Sequence, residues 1–82
     1  MPKVFEWRGF RFFFYSNEGD PREPVHIHAM KDGNVIKVWL DPSVAIESSH
    51  GFNSREQRQI VEKVELEADV IRAAWKEHFG ES

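Results

Sequence analysis

The 82-residue chain contains no cysteine, which excludes disulfide staples and thiolate metal ligands and leaves packing to supply the stability. Long apolar runs are missing as well. Residues 1 to 30 hold no uninterrupted apolar stretch behind a basic start, and no stretch anywhere is long enough to cross a bilayer. Neither secretion nor membrane insertion is expected, and a cytoplasmic protein fits best. Positive charge is also scarce: 11 Lys and Arg stand against 14 Asp and Glu, giving a net charge of −3. With both signs mixed along the chain there is no overall field to attract a polyanion. General nucleic-acid affinity is disfavoured, while a local basic patch stays open. No repeat, low-complexity segment or linker interrupts the sequence, so residues 1–82 read as a single domain, too short for two cores.

Aromatic bulk is plentiful, with 7 Phe, 3 Trp and 1 Tyr, each able to bury a large apolar area in one dense core. The first half has strand character. Lys3 to Arg8 and Phe10 to Ser16 are rich in aromatic and β-branched residues, with Arg8-Gly9 between them as a tight turn or bulge. Ser16 to Pro24 collects turn formers and two prolines and is expected to be an exposed loop. Val25 to Met30 and Val35 to Leu40 flank Lys31-Asp32-Gly33-Asn34, the clearest hairpin in the chain. Val44 to Glu47 fits either a short edge strand or a turn of helix.

From Ser54 the period becomes helical. Asn53 with Glu56, and Ser54 with Gln57, each match a capping box. Ile60, Val61, Val64, Ala68, Ile71, Trp75 and Phe79 then recur at spacings of three and four, and Gly80 is a natural stop. The expected architecture is α+β: an antiparallel sheet of 3–5 strands within residues 3–48, followed by one long C-terminal helix, about 54–79, packed on one face.

Strand alternation sorts the side chains into two faces. Phe10, Phe12, Phe14, Val25, Ile27, Ile36, Val38 and Leu40 belong under the helix. Arg11, Phe13, Tyr15, His26, His28, Met30, Lys37 and Trp39 then share the opposite face. Such an aromatic and imidazole surface marks a contact site if exposed; alternatively, Val44 to Phe52 folds across it as a second core. Both imidazoles are expected on the side turned away from the helix.

His26 and His28, at i and i+2, point the same way and can approach one ion. His50, or a loop carboxylate among Glu18, Asp20 and Glu23, would complete a metal set. The same pair suits acid–base cleavage of RNA, with Arg11 or Lys37 holding the phosphate. The third reading is a structural or interface role. The spacing alone selects none of these, and no cofactor is required. On the helix, Leu66, Val70 and Ala73 fall away from the main stripe at about 100° per residue and form a smaller apolar patch. It is either a partner surface or the product of a bend near Leu66 in a helix wedged into its own fold.

Glu23-Pro24-Val25-His26-Ile27-His28, the Gly33 turn, Trp39-Leu40-Asp41-Pro42, Gly51-Phe52-Asn53-Ser54-Arg55-Glu56 and Ala74-Trp75-Lys76-Glu77-His78-Phe79-Gly80 together resemble the bacterial family called domain of unknown function 4160. The resemblance spans nearly the whole chain. Pro24-Val25-His26 departs from the Pro-Pro-His common in that family, but the histidine pair is retained. The resemblance implies a small bacterial or phage-borne protein whose gene lies beside another small gene, in the manner of toxin–antitoxin pairs. It implies no reaction and no assigned site residues. The expected function is therefore protein interaction within such a two-gene module, with a small protein encoded by a neighbouring gene as partner and self-association as a second expectation. A ribonuclease-type toxin using His26 and His28, and a metal or small-ligand binding domain, are the competing readings.

Overall fold

The computed structural model describes residues 2–16 and 23–80. Five strands, β1 (Lys3–Trp7), β2 (Phe10–Phe13), β3 (His26–Lys31), β4 (Asn34–Trp39) and β5 (Ala45–His50), precede two helices, α1 (Ser54–Leu66) and α2 (Ala68–Phe79). The strands form one sheet in chain order, each antiparallel to the next.

Turn chemistry sets the register. The β1–β2 and β3–β4 connections are two-residue loops, Arg8-Gly9 and Asp32-Gly33, with all four residues at positive φ. That is the type I′ geometry whose twist matches the strands it joins. Asp32 tolerates the left-handed region better than most residues, and Gly33 adopts it without steric cost. The ambiguous segment after Pro42 resolves as an edge strand, β5, paired with β4 through a register shift between Lys37 and Val38. It therefore extends the sheet sideways and does not fold across it. Gly51, at φ 92°, ends that strand where the chain passes the Asn34 side chain, against which any Cβ would press.

Cross-strand partners lie on one face. Phe12 faces Ala29, and Ala29 faces Ile36; Ile27 faces Val38. These residues, with Phe10, Phe14, Leu40 and Phe52, meet Ile60 and Val64 of α1 and Ile71 and Trp75 of α2 in one core. The alternation read from the sequence thus selects the covered face correctly.

The C-terminal segment is two helices and not one. They meet at Glu67, whose φ of −102° and ψ of 16° leave the helical region. The hydrogen-bond ladder passes through the junction, from the Glu67 N–H to the Lys63 carbonyl at 3.0 Å and from the Ile71 N–H to the Glu67 carbonyl at 2.9 Å, so the axis is redirected without a loop. The reason lies in relative dimensions. A straight helix over this span would run about 39 Å, roughly twice the ~19 Å breadth of five strands. One axis cannot keep Ile60 and Trp75 both seated on so short and twisted a surface.

The first helix starts with the capping box at Asn53. The Glu56 N–H donates to Asn53 Oδ1 at 2.8 Å, and the Asn53 N–H donates to Glu56 Oε1 at 3.0 Å. Asn53→Ala is expected to cost about 1 kcal/mol and lower the thermal midpoint by about 4–8 °C. A melting curve indistinguishable from that of the parent would show that the cap contributes nothing.

Candidate functional site

Register places Phe13, His28 and Lys37 side by side across β2, β3 and β4, with His26 opposite Trp39. The expected far-face set is thus assembled. Its exposure is uneven. Phe13 and His26 are fully buried and His28 is 7% exposed, whereas Tyr15 is 40% exposed and Arg11 lies open to solvent. The rings form a continuous chain. Tyr15 meets His28 edge-on at 4.5 Å between centroids, Phe13 stacks on His28 at 5.6 Å, and His28 meets His26 at 5.3 Å. His26 then meets Trp39, also at 5.3 Å. The Lys37 ammonium sits 4.5 Å from the Trp39 ring and 3.1 Å from Glu23 Oε1, with Glu47 at 3.8 Å.

The expectation that both imidazoles turn away from the helix is corrected at His26. Pairing of β2 with β3 stops at Phe13 and His28, so no β2 residue flanks His26. There Trp75 of α2 packs against it, 5.0 Å from the His26 ring. The His26 Nδ1–H donates to the Pro24 carbonyl at 3.0 Å, and because a carbonyl only accepts, this bond fixes the proton on Nδ1. The proline ahead of the histidines therefore anchors the first of them.

A ribonuclease imidazole has to touch the phosphodiester, and in this closed arrangement neither ring is presented at the surface. Of the candidate metal ligands, His50 pairs with Val35 on β5, two strands from β3 and further along the sheet than His28. Among the described residues no three His, Asp or Glu side chains gather as a metal set. Glu18 and Asp20 lie outside the described residues.

Two features were not legible as sites in the sequence. Glu23 and Glu47 converge on Lys37 from loop and edge strand. A groove of about 310 Å³ opens between the start of β1 and the end of α2, lined by Lys3, Val4, Phe14, Ala74, Glu77 and His78. Both join residues far apart in sequence, and no spacing pattern signals them. On β1, the hydrogen bond from Lys3 to Glu6, 2.6 Å long, together with the lysine charge, holds the Glu6 carboxyl below its usual range.

The second candidate surface is on the helices. Leu66 is 81% exposed and Val70 50% exposed, on either side of the Glu67 junction, with Ala73 exposed one turn on. The bend anticipated near Leu66 is present, but it does not bury the patch. Around the patch, Glu62, Glu65 and Asp69 are exposed, and none has an ion pair among the described residues. The basic residues of the same turns are committed: Lys63 binds Glu67 at 2.9 Å, and Arg72 binds Asp41 at 2.8 Å and the Leu40 carbonyl at 3.3 Å.

An antiparallel five-stranded meander covered on one face by two C-terminal helices, with the rings around His28 on the other, defines an α+β domain. The chain belongs to the family described as Domain of unknown function (DUF4160), whose model matches residues 9–76. The matched span holds both histidines and the Leu66, Val70 and Ala73 patch. No curated protein matches the chain, and no solved structure does. Among the described residues no helix is long and apolar enough to cross a membrane.

Proposed function

We propose that this chain is a protein-binding component of a bacterial, cytoplasmic two-gene module, and that it engages a small protein encoded by a neighbouring gene through Leu66, Val70 and Ala73. The observation that carries this reading is the exposure of Leu66 at 81% beside Val70 at 50%. The main stripe of the helices is already spent on the sheet, and this second stripe is left open to solvent. Apolar side chains that cluster on one surface, and that a partner can desolvate, supply association energy. The far face supports the same reading more weakly, since its imidazoles are used to pack rings together and its most open members are Arg11 and Tyr15 at the rim.

Co-expression with the neighbouring gene product tests the proposal. The expected result is copurification, a raised thermal midpoint for the complex, and loss of both in Leu66→Gln, a surface change that leaves the chain folded. If the neighbouring product alters neither the solubility, the mass nor the thermal midpoint of this chain, the proposal fails.

A further inference from the structure

We infer that the surface around Leu66 takes a basic, apolar-striped helix and not a second copy of this chain. This rests on the interaction reading above and adds the chemistry of the partner. The apolar stripe of Leu66, Val70 and Ala73 is bordered by Glu62, Glu65 and Asp69, carboxylates without ion pairs among the described residues. Lys63 and Arg72, the cations of the same turns, are turned to Glu67 and Asp41. The stripe therefore presents a predominantly negative rim, with Arg58 and Lys76 the exposed cations at its two ends.

A two-fold contact between copies places the same patch against itself. It would bring that acidic rim against its own image, and like charges facing each other across an interface disfavour the pairing. A partner helix with lysine or arginine flanking its apolar stripe meets the charge requirement. Its leucines pack beside Leu66 and Val70 as neighbouring helix ridges do, and its cations neutralise the rim and steer the encounter.

The test uses the full chain and two synthetic helical peptides with leucines at i, i+3, i+4 and i+7, one flanked by lysines and the other by glutamates, followed by fluorescence anisotropy. The lysine peptide is expected to bind, with affinity falling about tenfold or more as salt screens the rim; the glutamate peptide is not. In the double variant Glu62→Lys with Asp69→Lys the preference is expected to reverse, and in Leu66→Gln both peptides are expected to lose binding. Equal binding of the two peptides, binding of neither, or self-association in sedimentation that Leu66→Gln abolishes would each overturn the inference. The neighbouring gene product separates this result from the broader reading. Copurification untouched by the charge swap, with the lysine peptide unbound, overturns this inference alone. Lysine-peptide binding without copurification overturns the two-gene reading and leaves the basic-helix inference standing.

Discussion

Trp75→Ala is expected to cost about 3–5 kcal/mol, the range for removing a large aromatic from a packed core. In a domain of this size that corresponds to a fall of more than about 12 °C in thermal midpoint. Trp75 is 2% exposed and touches Phe14, His26 and Phe79, with ring centroids at 5.3, 5.0 and 4.4 Å, so truncation opens a cavity among these three rings. Trp75→Phe separates volume from polarity. The indole N–H is buried with no acceptor among the described residues, and deleting an unsatisfied donor offsets part of the lost packing. The phenylalanine variant, which keeps one ring in place, is expected to lose clearly less than the alanine variant. Thermal and urea denaturation of both variants decide the matter; a small loss in Trp75→Ala would mean that the end of the sheet closes without the indole.

His26→Ala is expected to lose about 2–4 kcal/mol, combining the cavity left by a fully buried ring with the unmade bond at the Pro24 carbonyl. Its ring is enclosed by His28, Trp39 and Trp75. His26→Phe keeps an aromatic wedge while losing the bond to the Pro24 carbonyl, and it is expected to recover most of the difference. If His26→Ala melts with the parent, the imidazole is not a packing element. The result also governs any activity assay: a function lost in His26→Ala and restored in His26→Phe reports packing, whereas acid–base chemistry would stay lost in both. Substitution of the less enclosed His28 is the cleaner probe of chemistry.

Much of this architecture was readable from the chain because local rules decide it. Asp32-Gly33 demanded a type I′ turn, that turn fixed the β3–β4 register, and period-two alternation then placed Ile27, Ile36 and Val38 on the covered side. Asn53 and Glu56 marked the start of α1 for an equally local reason. The features that escaped are tertiary. The stripe from Ile60 to Phe79 crosses Glu67 with no glycine or proline to announce a break, which arises from the mismatch between helix span and sheet breadth. The segment from Val44 stands open between an edge strand and a turn of helix, and the paired edge that β4 offers Ala45–His50 decides it. The candidate surfaces divide the same way: helical periodicity exposed Leu66 and Val70, whereas the enclosure of His26 depends on Trp75, 49 positions later in the numbering, and no pattern within the strand foretells it.

The strict chain order of the sheet bears on how the molecule is made. Every strand finds its mate in the segment just synthesised, so loop closures are short and pairing can begin while the ribosome is still at work. The two helices that cover the sheet follow it in the chain. Until residues 54–79 have emerged, the surface bearing Phe10, Phe12, Ile27 and Ile36 has no helix to cover it, and the nascent chain passes through a sticky stage in which chaperone capture and premature aggregation compete.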